Sequence, residues 1–475
     1  MKSKRFNNKL CNDALSFDDC ELAILRHAVD ESEKMQGQKI ANSEEVKKII
    51  DIVENFLVRK KLVCYGGTAI NNILPKYAQF YNKDLEIPDY DFYSPNALDD
   101  AIELADIYYK AGYLDVEAKS GVHHGTFKVF VNFIPVADIT FLERSLYSQI
   151  SKEAIVIAGI NYSPPNLLRM NMFLELSRPD GDVSRWEKVL KRLTILNKFY
   201  PLKPDADCET IDFQRKMDTN MEDSERLYYT IRDSFVSQSV VFFGGYAVSL
   251  YSKYMKEDEE KIAKKIPDFD VLSEDIQKCA LILKENLHRE GFKNVKIIKH
   301  KAIGELIPKH IQINVNGEIM AFIYEPIACH SYNTISIDEK EINVATIDTI
   351  LTFYLAFTYA NLPYYDKNRL LCMAKFLFDV EQKNRLEQKG LLKRFSLNCY
   401  GKQPSMEDLR SEKAKMYKEL INKKDSKEYK EWFLKYNPNS KSDVKSYTKS
   451  SKTIKPIKGK KNRTRKQRVK NSFLF

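Results

Sequence analysis

The chain has 475 residues, of which 43% are hydrophobic, and it contains 27 Tyr and 26 Phe. This composition is enough for two or three packed domains and excludes a largely disordered protein. No segment approaches the roughly 18 consecutive apolar residues of a membrane span, and the first residues lack the apolar core of a secretory signal. We therefore expect a soluble, intracellular protein with no membrane contact.

Positive charge is concentrated near the C-terminus. Residues 441–470 contain 13 Lys or Arg and one acid, Asp443, whereas the whole chain has a net charge of +10, so the remainder is slightly acidic. Because this segment is rich in Ser, Thr and Lys and lacks an apolar period, we predict a basic, disordered tail over 438–475. Such an arm suits a nucleic-acid phosphate backbone; a solubilising or nuclear-targeting tail is the alternative.

Residue types that often bind metals or form cross-links are scattered. Eight cysteines stand at positions 11, 20, 64, 208, 279, 329, 372 and 399 without a CxxC pair, which argues against a zinc knuckle and a disulfide framework. We expect reduced, mostly buried thiols. His123 and His124 lie between Gly121 and Gly125 in a predicted hairpin, and with no further clustered ligand they predict no metal site.

The elements predicted over residues 42–141 alternate between helix and strand. In chain order they are a helix capped by Asn42 or Ser43, a buried strand at 62–65, a helix at 68–73, a strand at 89–93, a helix at 96–110 and strands at 126–133 and 135–141. This order indicates an α/β or α+β unit with one sheet.

Three carboxylates in these strands suggest a metal site. Asp89 and Asp91 point to the same face of their strand, because residues i and i+2 do so. Asp138 lies in an otherwise apolar strand, where a charge is unfavourable unless it is paired or metal-bound. Carboxylate oxygens suit Mg²⁺ or Mn²⁺, and two such ions promote in-line phosphoryl transfer. We predict that Asp89, Asp91 and Asp138 are the catalytic and metal-binding residues.

A glycine pair stands before the helix at 68–73. Gly66 and Gly67 let the backbone approach a triphosphate at the helix N-terminus, where free N–H groups and the Thr68 hydroxyl can bind phosphate oxygens. Four basic residues follow on later helices and could reach the triphosphate or a primer, a solvated face being the alternative: Arg169, Arg178, Lys188 and Arg192. Of these, Arg178 and Lys188 are our further nucleotide-binding candidates. P-loop and Rossmann motifs are absent from the sequence.

The same pattern recurs in the second half of the chain. Residues 242–247 (FFGGYA) repeat the shape of 64–69 (CYGGTA), and 266–270 (IPDFD) repeat 87–91 (IPDYD) at nearly the same distance from the glycines. An Ile-Asn pair precedes a long helix in each half, at Ile160-Asn161 and Ile342-Asn343. We predict a duplicated unit, roughly 42–200 and 222–380.

The second copy keeps Asp268 and Asp270 but departs elsewhere. Tyr246 stands where the first copy has Thr68. When residues 128–141 are laid on 311–324, Ala321 falls where Asp138 stands. A shift of this alignment by two residues is the alternative, with Glu318 or Glu325 as the third acid. We predict a degenerate copy that serves as scaffold or RNA surface.

Several of these segments also carry a family resemblance over roughly residues 40–380. YGGTAINNILP, IPDYDFYSPN, FIPVADIT, SPPNLLRMNMFLELSRP and RWEKVLKRLTIL resemble the catalytic subunit of large DNA virus poly(A) polymerases, of the mimivirus, asfarvirus and poxvirus kind. That family is of the DNA polymerase β type nucleotidyltransferase superfamily. The resemblance implies that Asp89 and Asp91 bind both metals, that Asp138 acts on the metal that activates the primer 3′ hydroxyl, and that residues 66–68 hold the phosphates. It also implies a second nucleotidyltransferase-like domain.

The fold that follows is α+β, with duplicated nucleotidyltransferase (polymerase β-like) domains, flanking helices and a degenerate second copy. The expected domains are an N-terminal helical segment (1–41), a catalytic domain (42–200), a degenerate domain (201–385), a helical C-terminal extension (386–437) and the basic tail (438–475).

The expected activity is template-independent addition of AMP from ATP to the 3′ end of single-stranded mRNA, with two Mg²⁺ or Mn²⁺ ions. The adenine preference follows from the resemblance alone. The alternatives are another nucleotidyltransferase, uridylyl-, CCA- or oligoadenylate-forming, and an RNA-binding pseudoenzyme or processivity subunit. The resemblance further implies action in the cytoplasmic viral factory of a host cell, with the virion as a second candidate location, and either a homodimer or a complex with a separate viral processivity subunit. The basic tail could add processivity by holding RNA.

Overall fold

The structure, a computed structural model, describes residues 16–41, 43–81, 87–211, 221–263 and 268–439. Ile266, Pro267 and the predicted basic tail from residue 440 onward lie outside the described residues. Within these ranges, none of the helices combines the length and hydropathy that crossing a bilayer requires.

The first unit consists of seven strands and the helices around them. Its strands are β1 (Val63–Cys64), β2 (Tyr90–Ser94), β3 (Val116–Ser120), β4 (Thr126–Val131), β5 (Ile134–Phe141), β6 (Ile155–Ile157) and β7 (Ile160–Tyr162). Its helices are α1 (Phe17–Ala41), α2 (Glu44–Lys60), α3 (Gly66–Ile73), α4 (Ala97–Lys110), α5 (Arg144–Lys152), α6 (Pro165–Leu176) and α7 (Trp186–Phe199).

The second unit has the same number of strands. These are β8 (Val241–Phe242), β9 (Phe269–Leu272), β10 (Val295–His300), β11 (His310–Val315), β12 (Glu318–Tyr324), β13 (His330–Ile337) and β14 (Lys340–Ala345). Its helices are α8 (Met221–Ser237), α9 (Gly245–Tyr251), α10 (Glu257–Ala263), α11 (Ile276–Arg289), α12 (Ile347–Phe357) and α13 (Lys367–Lys383). The C-terminal extension adds β15 (Cys399–Tyr400), α14 (Met406–Leu420), α15 (Lys427–Phe433) and β16 (Lys435–Tyr436).

The two sheets have corresponding strand orders. The first runs β16-β3-β4-β5-β2-β1-β7-β6 and the second runs β10-β11-β12-β9-β8-β14-β13-β15. Two pairs in the first sheet are parallel, β2 with β5 and β1 with β7. The two matching pairs in the second sheet, β9 with β12 and β8 with β14, are also parallel. The remaining corresponding pairs are antiparallel in both sheets. The repeat predicted from the glycine pairs is therefore present in the order and direction of the strands.

The repeated Ile-Asn pairs have the same structural task. Asn161 on β7 donates its side-chain amide to the carbonyl of Lys61 (3.0 Å), and Asn343 on β14 donates to the carbonyl of Ser239 (3.2 Å). Lys61 and Ser239 both have positive φ, 54° and 53°, at the turn from a helix to the next strand. Each asparagine thus satisfies a carbonyl that the ending helix leaves without a partner.

The predicted elements of the first unit are present with small shifts. Ser43 caps α2, since its hydroxyl accepts from the N–H of Val46 (3.1 Å). The helix predicted at 68–73 begins two residues earlier, at Gly66, and the strand predicted at 89–93 runs from Tyr90 to Ser94. Strand β3 escapes prediction, because its sequence VEAKS is short and half polar.

Helix α4 covers one face of the first sheet. Leu104 and Tyr108 on α4 and Phe127, Val129 and Val131 on β4 are all fully buried. Each such side chain contributes about 1.5–3 kcal/mol through burial. The alternate residues of β4, at 126, 128 and 130, are only partly buried, so the opposite face of the sheet is the accessible one.

The two units pack against each other through helix α12. All of its residues are buried, because it contacts α6 of the first unit on one side and its own α13 on another. A backbone bond from Ser331 N–H to the Ser177 carbonyl (2.8 Å) adds to this junction. Since α6 follows β7 and α12 follows β14, corresponding helices of the repeat form the interface.

Four cysteines correct the expectation of reduced thiols. Cys208 pairs with Cys372 and Cys329 pairs with Cys399, with Cα atoms 5.7 and 5.1 Å apart. The partners are separated by 164 and 70 residues, so no local spacing could predict the pairing. Cys64 and Cys279 are buried free thiols, as expected.

Candidate active site

The three predicted aspartates converge on the accessible face of the first sheet. Asp91 on β2 stands directly opposite Asp138 on β5 in a parallel pair. Asp89 precedes β2 by one residue and, two positions from Asp91, shares its face. The strand pairing thus brings Asp89, Asp91 and Asp138 together, as the sequence predicted.

These carboxylates repel one another in a partly buried setting. Burial raises the pKa of Asp91 to about 7, and the charges of Asp89 and Asp138 add to the effect. Burial and the charge of Asp138 also raise the pKa of Asp89. Both shifts arise first from burial and then from the neighbouring carboxylates, so ionisation of all three groups is unfavourable without a compensating positive charge.

Lys128 provides the nearest compensation. It stands opposite Asp138 on β4 and forms an ion pair with Asp138 Oδ2. The other oxygen, Asp138 Oδ1, is buried and has no hydrogen-bond partner among the described residues. A buried carboxylate oxygen without a donor, beside two further carboxylates, fits a site for a divalent cation.

The glycine pair is required by close approach to these side chains. Gly66 has φ of 72°, and a Cβ on it would lie 2.6 Å from Asp91 Oδ2. A Cβ on Gly67 would lie 2.5 Å from the Tyr81 hydroxyl and 2.9 Å from Arg192 Nη1. Any larger residue would displace either the carboxylate or the arginine, so the pair brings the N-terminus of α3 against both.

Thr68 has a described role that differs from the expected phosphate contact. Its side chain is buried, and its hydroxyl donates to the backbone carbonyl of Asp89 (2.7 Å). The Tyr65 N–H donates to the Asp91 carbonyl (2.9 Å). These two bonds join α3 and its lead-in to both acidic residues; phosphate binding by the Thr68 hydroxyl stays a prediction.

Arg192 on α7 is the basic residue nearest the glycine pair. Its Nη2 donates to the Tyr81 hydroxyl (2.5 Å), and its guanidinium lies 5.0 Å from the Phe80 ring centre. Lys188, one turn earlier on the same face of α7, is exposed. Arg185, a further turn back, carries a charge that opposes the raised pKa of Asp91. Sequence reasoning missed Arg185, because nothing local links it to Asp91.

Two other predicted basic residues lie elsewhere. Arg169 is fully buried and donates to Asn197 (2.8 Å) and Asn166 (2.5 Å), so it is a structural residue and not a phosphate ligand. Arg178 donates to the Leu174 carbonyl (3.0 Å) at the junction with the second unit. Burial lowers the pKa of Arg178, opposed by nearby acids. Its described contacts do not include the three aspartates, and nucleotide binding by Arg178 stays a prediction.

The corresponding place in the second sheet is built differently. Asp270 on β9 stands opposite Phe322 on β12, so Phe322 and not Ala321 occupies the position of Asp138; the expected alignment is wrong by one residue. Arg369 on α13 forms an ion pair with buried Asp268 (2.8 Å). Burial lowers the pKa of Arg369, but the charges of Asp268 and Asp270 outweigh this and leave it raised. In the second sheet, the counterpart of Asp89 is therefore paired with an arginine.

Comparison with known proteins gives the following similarities. The family model described as poly(A) polymerase catalytic subunit matches residues 51–182. A chain of Acanthamoeba polyphaga mimivirus named as a poly(A) polymerase catalytic subunit is 30% identical over 234 residues, 46% of this chain and 38% of that one. A chain of the same description from African swine fever virus (strain Badajoz 1971 Vero-adapted) is 32% identical over 168 residues, 34% of this chain and 35% of that one. The matches thus span little more than a third of these relatives.

A solved structure shares the fold over nearly the whole chain. It is that of the Megavirus polyadenylate synthase, with a TM-score of 0.74 and 18% identity, over 95% of this chain and 93% of that one. At this identity the likeness shows the fold alone. The predicted resemblance to poly(A) polymerase catalytic subunits is confirmed by the family model over residues 51–182, which include all three aspartates.

Proposed function

We propose that this chain adds AMP from ATP to the 3′ end of single-stranded RNA without a template. The proposal is carried by the convergence of Asp89, Asp91 and Asp138. Asp138 Oδ1 is buried and has no hydrogen-bond donor among the described residues. The similarity of residues 51–182 to poly(A) polymerase catalytic subunits supports it, and the adenine preference rests on that similarity alone.

Asp89, Asp91 and Asp138 would hold two divalent cations, Mg²⁺ or Mn²⁺. When bound, such ions lower the pKa of the attacking 3′ hydroxyl and offset the charge on the leaving pyrophosphate. The chain keeps its carboxylates in place through the Thr68 and Tyr65 bonds to the Asp89 and Asp91 carbonyls. Because the acids are already oriented, little reorganisation is required during the reaction.

The N-terminus of α3 and the basic face of α7 would bind the triphosphate. Gly66 and Gly67 present backbone N–H groups there, and Arg192 lies beside Gly67. Lys188 extends the same face of α7, and Arg185, which pairs with Glu175, immediately precedes the helix. Arg192 is fixed by Tyr81 and Phe80, so its guanidinium is positioned before a nucleotide arrives.

The second unit is proposed to be non-catalytic. It lacks a carboxylate opposite Asp270, and Arg369 supplies the positive charge that a metal would otherwise bring. Its structural task is to carry α12, the buried helix against which α6 packs.

The test is primer extension with each nucleoside triphosphate in turn. Labelled single-stranded RNA is incubated with Mg²⁺ or Mn²⁺, and we expect extension with ATP alone that chelation abolishes. The double substitution Asp89→Asn and Asp91→Asn should lower the rate on the order of 1,000-fold or more, since both metal sites lose their shared ligands. Asp270→Asn, the matched change in the second unit, should leave the rate within about twofold.

Other outcomes separate the alternatives. Extension with UTP or CTP in place of ATP would identify another RNA nucleotidyltransferase. RNA binding without extension by any nucleotide would identify a pseudoenzyme or processivity subunit. An unchanged rate in the double variant would contradict the assigned site.

A further inference from the structure

A row of lysines crosses the first sheet and ends at the aspartates. On neighbouring strands, Lys435 of β16 stands opposite Lys119 of β3, Lys119 opposite Lys128 of β4, and Lys128 opposite Asp138 of β5. Directly opposite residues project from the same face of a sheet. With strands about 4.8 Å apart, Lys435 lies roughly 14 Å from Asp138 along this row.

The row lies on the accessible face of the sheet. Helix α4 covers the other face, where Phe127 and Val129 are fully buried. The side chain of Lys119 is 42% exposed and that of Lys128 is 38% exposed, and Lys435 is exposed. All three side chains are therefore accessible to a ligand that lies across the sheet, which would compete with Glu117 for Lys119 and with Asp138 for Lys128.

The corresponding row of the second sheet carries no positive charge. It reads Ile298 on β10, Gln312 on β11, Phe322 on β12 and Asp270 on β9. Strands β3, β4 and β5 correspond to β10, β11 and β12, so the lysines on β3 and β4 are not a requirement of the fold. Strand β16, which carries Lys435, has no counterpart beside β10 among the described strands. The lysines of the row are present only in the sheet that also has the three aspartates.

The lysine row opposes the stability of the sheet. Like charges directly opposite each other on neighbouring strands are destabilising. Glu117 offsets part of the charge, at 3.2 Å from Lys119 Nζ, and the Lys119 ammonium lies 4.0 Å from the Phe130 ring centre. An exposed ion pair of this kind is weak and exchanges readily with another anion. A partly exposed cation beside an aromatic ring is the kind of surface that single-stranded nucleic acid uses.

The outermost lysine comes from the C-terminal extension. Strand β16 is held on β3 by its ladder, by the Ser120 hydroxyl donating to the Trp432 carbonyl (2.8 Å) and by the Tyr436 hydroxyl donating to Asp106 (2.5 Å). The basic sequence at 441–470 follows this strand directly in the chain. The extension thus lengthens the catalytic sheet by one strand and adds a charge to the row.

We propose that Lys435, Lys119 and Lys128 form a phosphate track that leads the backbone of single-stranded RNA to Asp138. The direction of the track, with the 3′ end at Asp138, rests on the proposed function. The binding itself is independent of catalysis and is tested without ATP.

The triphosphate of ATP is the other phosphate source that the row could serve. Lys128 is close enough to Asp138 to meet either ligand, whereas Lys119 and Lys435 lie two and three strands away. Substitutions at these outer two positions therefore distinguish RNA from nucleotide.

The experiment compares two double variants of the full chain. Lys119→Gln with Lys435→Gln removes the outer charges while keeping most of each side-chain stem. Lys293→Gln with Lys296→Gln removes two exposed lysines at the matching edge of the second sheet. Equilibrium binding of a single-stranded RNA of about 15 nucleotides is measured over a range of salt concentrations, without ATP or metal.

Each phosphate contact of single-stranded nucleic acid contributes about 0.7 to the slope of log K against log salt concentration. We expect the Lys119 and Lys435 variant to lower that slope by about 1.4 and to weaken binding about 25-fold at roughly 0.1 M salt. In extension assays the KM for the long primer should rise, and the KM for ATP should stay as in the unsubstituted chain. The second-sheet variant should match the unsubstituted chain throughout.

Three results would overturn the track. They are an unchanged salt slope in the Lys119 and Lys435 variant, an equal loss in the Lys293 and Lys296 variant, and a rise in the KM for ATP alone. If the unsubstituted chain binds RNA with the expected slope but extends no primer, the proposed function fails and the track stands.

Discussion

The first sheet and the second sheet place a glycine, an Asp-x-Asp segment and a neighbouring parallel strand at the same points, and differ in the charges they carry there. In the first, Gly66 lies against Asp91 and Asp138 stands on the next strand. In the second, Gly244 lies against Asp270, Phe322 stands on the next strand, and Arg369 pairs with Asp268. The difference teaches that the same backbone forms with or without the third carboxylate, so the proposed metal site is defined by its side chains.

The basic residues beside the two sites also differ in solvent exposure. Arg369 and Asp268 have side chains that are 16% and 6% exposed, whereas Lys128 is 38% exposed beside Asp138. A lysine at a partly open site can give way to a metal or a phosphate, while an arginine that is mostly covered and paired with a buried aspartate is a structural partner. The comparison therefore predicts function in one site and structure in the other.

The largest effect is expected from making the first site resemble the second. Asp138→Phe should lower primer extension on the order of 1,000-fold or more, because the third carboxylate of the proposed metal site is lost. Asp138→Asn should give a similar loss with almost no change in shape. Phe322→Leu is the matched control and should keep the extension rate. Normal activity in Asp138→Asn would show that the third carboxylate has no role.

The next largest effect is on the free energy of unfolding, and it distinguishes Arg369 from Lys128. Arg369→Met removes the ion pair of buried Asp268 and should lower the free energy of unfolding by about 3–5 kcal/mol. Lys128→Met breaks a partly exposed pair and should cost about 1 kcal/mol or less. Chemical unfolding of both variants measures the difference. Equal costs would mean that the two sites are not distinguished by burial as described.

The smallest effect comes from the glycines. In Gly66→Ala the new Cβ would lie 2.6 Å from Asp91 Oδ2, so the carboxylate must shift. A displacement near 1 Å can cost about 100-fold in rate, and we expect a loss of that order in extension. In Gly244→Ala the Cβ meets the Asp270 side chain and its backbone N at 2.6 Å, which should lower the thermal midpoint and spare the rate of the folded enzyme. A rate loss confined to Gly244→Ala would reverse the assignment of the two units.

Much of the first site was predictable because its signals are local. The spacing of Asp89 and Asp91, the apolar surroundings of Asp138 and the glycine pair each act within one strand or turn. The repeat was predictable because the glycine pair and the Asp-x-Asp segment recur in the second half of the chain. The register of the repeat did not follow, because β12 (EIMAFIY) is buried on both faces over most of its length, so its apolar pattern does not mark which residues share a face.

Contacts between distant elements were beyond sequence reasoning. Lys128 meets Asp138 through the register of a hairpin, and Lys435 joins the row through a strand near the end of the described chain. Arg369 reaches Asp268 from a helix about 100 residues later. The two disulfides are long-range in the same sense. Each of these contacts depends on the packed fold, and no characteristic residue spacing in the sequence indicates it.

The most direct test of the central claim is anomalous diffraction from crystals grown with Mn²⁺ and a non-reactive ATP analogue. The account predicts two manganese peaks bounded by Asp89, Asp91 and Asp138, and none beside Asp268 and Asp270. Peaks of equal height in both units, or no peak at the three aspartates, would contradict it.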